Sequence, residues 1–434
     1  METRFWTRRM QGAFEGWELC FVKERAKRYE AAEGKLLTMD LKEEEGIALR
    51  CIKDGRMCFS FTFEKGEKAA SDLVGNVIAL TPFLEEDRDS VLPSAYGQYP
   101  DLDIFDEPGL AIADDVKIAS LLEMESIIRT YDKRITTTRN CELHESELSV
   151  DIINSNGIEA GAKKTIYALS AMAVAKNGND EVSWYDWSWA SRYGELDGPK
   201  LGRRVAEKTL SFLSGEVLAT GVYRGLLTPA AACQALEILS PSFLGENLYK
   251  NMTRLRDKVG TKCFSDLLTI VDSGTRGMGA FPFDGEGVPS QESVLVKDGV
   301  FQGFLYDTYY GKRMNRASTG NAGRSGVKEP PRCASKGFFI EAGPAGGEEP
   351  SGDWIVVEEL MGTHTANSVT GDFSVGAIGH YHSGGVRTPF KGVMLSGNLF
   401  ELFGQVSAVG RDLTFYGSYG SPTLLIEGLK VSGR

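Results

Sequence analysis

Thr165-Ile166-Tyr167-Ala168-Leu169-Ser170-Ala171-Met172-Ala173-Val174-Ala175, then Asn177-Gly178-Asn179-Asp180, then Val182-Ser183-Trp184-Tyr185-Asp186-Trp187-Ser188-Trp189, reads as two strands joined by a tight turn. β-Branched and aromatic residues suit a pleated surface, and an Asn-Gly pair supplies the positive φ angles of a hairpin. Just upstream, Val150–Ile153 and Ile158–Ala160 flank Asn154-Ser155-Asn156-Gly157, a second hairpin signal. Before both, Asp115 opens a helix. Leu121, Met124, Ile128 and Tyr131 share one face with Ile118 and Leu122 beside it, while Lys117, Glu123 and Arg129 are expected to point elsewhere. A helix followed by an antiparallel meander is an α+β pattern. A further helix, Lys200–Leu213, aligns Ala206, Leu210 and Leu213 and closes this region. Tyr185, Trp187 and Trp189 fall on one strand face, expected as an aromatic core or interface, with a peptide-binding surface as the alternative.

On the N-terminal side, Asp54-Gly55 between apolar-alternating flanks predicts another hairpin, and Lys42-Glu43-Glu44-Glu45 reads as a solvated turn. Residues 93–108 hold three prolines and little periodicity, which marks a linker and a domain boundary. Beyond Leu226 the chain becomes Gly-rich and strand-rich. Asp298-Gly299 predicts a hairpin, His382-Ser383-Gly384-Gly385 a turn, and Glu341–Asp353 a loop without periodicity. The expected fold class is α+β in three regions. These are an N-terminal α/β region (1–100), a helix-plus-antiparallel-meander middle region (109–215) and a large β-rich C-terminal domain (222–434).

The 434 residues are 42% hydrophobic and 25% charged, enough apolar material for several cores. A net charge of −12 without a basic cluster argues against nucleic acid as a partner. Apolar runs are too short to cross a membrane, and basic Met1 to Phe14 has no apolar core for a secretory signal. Seven scattered cysteines with no C-x-x-C pair fit a reducing cytoplasm, the expected location.

Few residues offer chemistry. His144-Glu145 lacks a second histidine and reads as surface ahead of a strand. His380 and His382 share one strand face and are chemically able to bind a metal, but read as solvent-exposed hairpin residues. Asp284 and Glu286, spaced i, i+2 between glycines, are able to work as an acid/base pair. The favoured alternative is that they anchor backbone N–H groups of their own loop. Gly320-Asn321-Ala322-Gly323-Arg324 is a weak anion-cradle signal.

Several C-terminal segments resemble the TldD/TldE (PmbA) family, also called modulators of DNA gyrase. They are Phe281-Pro282-Phe283-Asp284-Gly285-Glu286-Gly287-Val288, Ser318-Thr319-Gly320-Asn321-Ala322-Gly323, Glu359-Leu360-Met361-Gly362 with Ser368 to Ala377, and Gly397-Asn398-Leu399 with the ending Leu424 to Leu429. The resemblance implies a family C-terminal domain and paired subunits acting in proteolysis of peptides or small unfolded proteins. TldD-type subunits carry a helical H-E-x-x-x-H motif and a later Cys, a zinc site whose Glu activates the bound water. Here the corresponding helix is Thr228–Leu239, with Thr228 as N-cap and Pro229 in the first turn. Cys233, Gln234 and Ile238 stand at the His, Glu and second His positions, no histidine lies between His144 and His364, and no cysteine follows Gly410.

The resemblance therefore implies a TldE-type subunit, with no metal or other cofactor expected and no catalysis alone. Its partner would be a TldD-type zinc protease subunit in a heterodimer, or itself in a homodimer, with a peptide as substrate. His364 and Asn367 in the family-signature loop, with Asp284 and Glu286, are the candidates for lining a substrate groove. Two other readings are a stand-alone peptide-binding scaffold and a hydrolase using Asp284 and Glu286 without zinc.

Overall fold

The computed structural model describes residues 4–344 and 350–434, so part of the expected 341–353 loop lies outside the described residues. Six strands form the first sheet: β1 (Gly16–Ala32), β2 (Lys35–Lys53), β3 (Arg56–Thr62), β4 (Ile135–Asn154), β5 (Glu159–Asn177) and β6 (Asp180–Ala190). Their order is β3-β2-β1-β4-β5-β6, antiparallel throughout. Strands from either side of residues 93–108 thus share one sheet, β1 pairing with β4 from Glu18↔Asn154 to Ala31↔Cys141. The connecting segment is tied along it. Asn154 Nδ2 and Asn156 Nδ2 donate to the carbonyls of Pro93 and Leu92, and the Tyr99 hydroxyl donates to Gly287 O.

The tight turns follow their local sequence. Asp54 (φ 50°) and Gly55 (φ 68°) link β2 to β3, while Asn177 pairs with Asp180 across the β5–β6 turn. Lys42 to Glu45, expected as a turn, instead lie mid-strand in β2. β3 pairs only with 47–53, so the distal part of β2 has β1 as its sole neighbour and faces water. Acidic residues are tolerated there: Arg25 pairs with Glu43 across β1 and β2 (3.0 Å), and Lys65 from the loop after β3 pairs with Glu45 (2.6 Å).

The sheet has two distinct faces. Leu19, Phe21, Ile47 and Leu49 point to the Glu67–Leu80 helix, and Tyr29, Leu143 and Leu169 point to the Asp114–Tyr131 and Gly198–Ser211 helices. On the other face, Cys20, Ala48 and Ile152 meet Phe283 of the C-terminal domain. Leu121, Met124 and Ile128 of the second helix are buried as expected, but Lys117 is buried too and Tyr131 is exposed. Lys117 turns inward because Glu145 of β4 pairs with it. His144-Glu145 therefore lies inside a strand, not ahead of one, and Glu145 is core-facing.

The aromatic strand turns its other face to the core of the first sheet, while Trp187 lies beside Gly417 of the C-terminal domain. Val182 and Trp184 are buried, Tyr185 is exposed, and Trp187 and Trp189 are half-buried. Ala173 sits opposite Trp184, leaving room for the indole to stack on Phe212 at 5.0 Å.

The C-terminal domain begins with β7 (Gly221–Leu227). β7 pairs parallel with the Trp354–Met361 strand, which pairs with Asp372–Ser383 and that with Val386–Asn398. The last of these also pairs with Leu424–Ser432, which returns to β7, so the five strands close on themselves. A second six-stranded sheet is built mostly of short strands, including Ile270–Ser273 and Phe338–Ile340. The domain is β-rich, as expected.

At Gly379 the chain passes close against the neighbouring strand. A Cβ there would meet Val356 O at 1.8 Å, and backbone cannot yield as a side chain does. Gly379→Ala is expected to destabilise the protein by at least ~1–3 kcal/mol, read as a lower urea midpoint at unchanged slope.

Candidate functional site

Where the first sheet meets the C-terminal domain, charge is buried. Glu18 and Arg50 are cross-strand neighbours on β1 and β2, on the face turned to the 281–288 loop. Arg50 Nη2 donates to Glu18 Oε2 at 2.5 Å, and its Nη1 to Glu286 Oε1 at 2.5 Å. Arg324 Nη2 reaches the other oxygen of Glu18 at 2.6 Å, and Glu286 Oε2 accepts the Thr308 N–H at 2.9 Å. This chain of ion pairs joins β1 and β2 to loops more than two hundred residues away.

Asp284 does different work. Its Oδ1 accepts the N–H groups of Glu286 (2.8 Å) and Val288 (3.0 Å), and its Oδ2 that of Ala322 (2.9 Å). Burial and the adjacent Glu286 push its carboxyl up to about 6. Burial also acts on Glu286, but Arg50 and the Thr308 contacts bring it below the usual glutamate range. Both carboxylates are committed to holding the loop. These bonds are those of a loop anchor, and each of the four carboxylate oxygens accepts at least one of them. The Gly320–Arg324 cradle is likewise taken up internally, Asn321 Nδ2 donating to Asp272 and the Ala322 N–H to Asp284.

Asp307 lies beside this network and caps the Thr308–Arg313 helix through the Tyr310 N–H. Burial and nearby Glu286 raise it to about 7. A raised folded-state pKa means the carboxylate opposes folding fully above pH 7, with relief as pH falls toward 4. Asp307→Asn keeps the cap and removes the charge. It is expected to raise stability at pH 8 by roughly 1–4 kcal/mol and to leave it little changed at pH 4, measured by urea unfolding at both pH values.

The remaining sequence candidates sit elsewhere. Thr228 caps the Pro229–Leu239 helix as expected, its hydroxyl accepting the Ala231 N–H. Cys233 is buried with its thiol toward Thr414 O, and burial pushes it up to about 12. Gln234 Oε1 accepts the Leu360 N–H at 2.7 Å, and Ile238 is buried in the core. A protonated thiol, an amide oxygen already bonded and an alkyl chain do not fit a zinc ion. Among the described residues, no three His, Cys, Asp or Glu side chains are grouped to hold a metal.

His364 is exposed in the Thr363–Thr365 turn, which packs against this helix. Asn367 Oδ1 accepts the N–H groups of Val369 and Thr370, holding the same loop. The turn of His364 thus packs against the helix of Gln234, Asn367 holds the residues that follow it, and Asp284 and Glu286 lie in the interdomain network.

His380 corrects an expectation. It is buried rather than solvent-exposed, stacked on Phe212 at 4.9 Å, with Arg387 Nη2 at 3.0 Å and Glu358 at 3.6 Å. The middle region covers it, and His382 stacks on Trp354 at 4.0 Å.

Reading the sequence missed Glu18, Arg50, Asp272 and Asp307, and named Arg324 only within the weak Gly320–Arg324 cradle signal. The available signal was a charge at an inward strand position, such as Arg50 within Ile47-Ala48-Leu49-Arg50-Cys51-Ile52.

Residues 220–433 match the model described as the PmbA/TldA metallopeptidase C-terminal domain, and 107–213 match the central domain of the same group. The chain belongs to the PmbA/TldD family. An uncharacterized protein of Methanocaldococcus jannaschii is 27% identical over 395 residues, 88% of each chain. The metalloprotease PmbA of Escherichia coli O157:H7 is 28% identical over 340 residues, 77% of this chain and 73% of that one. A metalloprotease TldD homolog of Haemophilus influenzae is 25% identical over 327 residues, 69% and 65% of the two chains. Among solved structures, TldE from Thermococcus kodakarensis superposes with a TM-score of 0.89 at 22% identity, covering 99% of this chain and 98% of that one. PmbA/TldD membership gives this chain a protease-related role, and the superposition shows that it has the fold of TldE.

Proposed function

We propose that this chain is a TldE/PmbA-type subunit that cleaves nothing alone and completes a peptidase with a TldD-type, zinc-bearing partner. The observation that carries the reading is the Pro229–Leu239 helix. Where the partner type would present two imidazoles and a carboxylate, this helix presents Cys233, Gln234 and Ile238, each spent on packing or a backbone bond. The role left to the chain is to supply fold, contact surface and part of the chamber in which an extended peptide is held. Leu37, Met39 and Leu41 on the distal part of β2 are exposed on one strand face and favour association with another protein. Hydrolysis by Asp284 and Glu286 is disfavoured by their bonds to backbone N–H groups and Arg50.

No described helix is long and apolar enough to cross a membrane, and the proposed setting is the cytoplasm. The test is to mix the purified chain with a TldD-type relative carrying H-E-x-x-x-H. Co-elution in size-exclusion chromatography, with peptide cleavage only in the mixture, is expected. Two separate peaks, with the partner fully active by itself, would sink the assignment and favour a self-associating peptide-binding scaffold.

A further inference from the structure

A cavity of about 370 Å3 lies between the C-terminal domain and the face of the first sheet turned toward it. It falls at the small end of the ~300–1,000 Å3 range of ligand pockets. One wall is apolar, made by Val22 of β1, Leu148, Val150 and Ile152 of β4 and Ile166 of β5, with Phe281 opposite. Cross-strand pairing of Val22 with Val150 sets these side chains side by side.

The polar groups lining the same cavity are mainly cationic: Lys164, Lys336 and Arg324. Lys164 is buried, and its ammonium donates only to two main-chain carbonyls, Met278 O and Ala280 O. No salt bridge is recorded for it among the described residues. Lys336 Nζ donates to Phe283 O at 3.1 Å. Arg324 is 5% exposed, with Nε on Gly285 O and Nη2 on Glu18, yet its Nη1 is buried with no partner. The cavity's acid, Asp284, already has both oxygens on backbone N–H groups. A buried guanidinium nitrogen without an acceptor is an expense that native structures rarely keep without a ligand or water to receive it. Desolvation and the charge of Lys336 bring Lys164 down to about 8, which still leaves most of its ammonium charged at pH 7 and without a carboxylate partner.

We propose that this cavity binds the C-terminal carboxylate of a peptide whose last side chain is apolar, with Arg324 Nη1 and Lys164 on the carboxylate and the β4 wall on the side chain. This rests on the peptide-handling function proposed above and names which end of the peptide the chain holds. The site is separate from the Pro229–Leu239 helix.

The test is calorimetric titration of the full-length chain alone with N-acetyl-Leu-Phe, its C-terminal amide, and octanoate. The acid is expected to bind at least tenfold more tightly than the amide, and Lys164→Met to abolish that difference. Because Lys164 also bridges two segments, the acid/amide comparison on the unaltered protein stands by itself if the variant fails to fold. Equal binding of acid and amide, or no binding of either at millimolar concentration, overturns the proposal. Octanoate binding as tightly as the peptide acid would also overturn it, since the pocket would then serve free carboxylic acids. Complex formation with a TldD-type relative is read separately. A chain that binds the acid but no such partner loses the proposed function and keeps the site.

Discussion

Arg50→Met should destabilise the protein by about 3–5 kcal/mol, the range for breaking a buried ion pair from one side. Among the described residues Arg50 is the bridge between Glu18 and Glu286, with 2.5 Å contacts to each. After its loss Glu18 keeps Arg324, but Glu286 keeps only the Thr308 N–H on its other oxygen. The larger share of the loss therefore comes from Glu286. Arg50→Met combined with Glu286→Gln should recover part of it, because the stranded charge is gone. Equilibrium urea unfolding of the wild type, both single variants and the double variant reads this directly. A loss below about 1 kcal/mol for Arg50→Met would mean that the network is no stronger than a surface pair. The consequence reaches beyond stability, since these pairs fix the first sheet against the C-terminal domain and frame the cavity beside Arg324.

The second large effect is expected at Lys117. Its ammonium is fully buried, pairs with Glu145 and lies 5.8 Å from the Tyr193 ring centre. Lys117→Met strands the Glu145 carboxylate in the core between β4 and the Asp114–Tyr131 helix, again at about 3–5 kcal/mol. Lys117→Met with Glu145→Leu should return close to wild type, because a well-packed apolar pair often replaces a buried ion pair without loss. The exposed Lys68–Asp72 pair is the internal control. Its removal should stay within about 0.5 kcal/mol. Chemical denaturation of the four proteins separates the cases, and a double variant as unstable as Lys117→Met alone would contradict the account.

These two residues also show where the sequence was legible. Asp54-Gly55, Asp298-Gly299 and the Thr228 cap were readable because their conformations depend on neighbours in the chain. The α+β class and the β-rich C-terminal domain followed from the same local signals. Lys117 was visible geometrically, since 117, 121, 124 and 128 fall on one helical face, but its charge suggested solvent. What reverses that expectation is Glu145, twenty-eight residues away in sequence on a facing strand. Arg50 and Glu286 are an extreme case, separated by 236 residues and joined only once the sheet docks on the C-terminal domain.

The core-facing side of the aromatic strand was illegible for another reason. Period-two alternation gives the two faces of β6 but not which one turns inward, and Ala173 opposite Trp184 decides it. The cavity was legible only in part, as apolar alternation at Leu148, Val150 and Ile152. Its cations come from three separate segments, and no spacing rule joins them.

The central claim is that this member of the PmbA/TldD family has the protease fold without its own metal chemistry. The most direct measurement is elemental analysis of the purified chain after saturation with zinc and gel filtration, alongside a peptidase assay of the same sample. No stoichiometric zinc and no cleavage are expected. One tightly bound zinc per chain, with peptide hydrolysis that a chelator removes, would contradict the account.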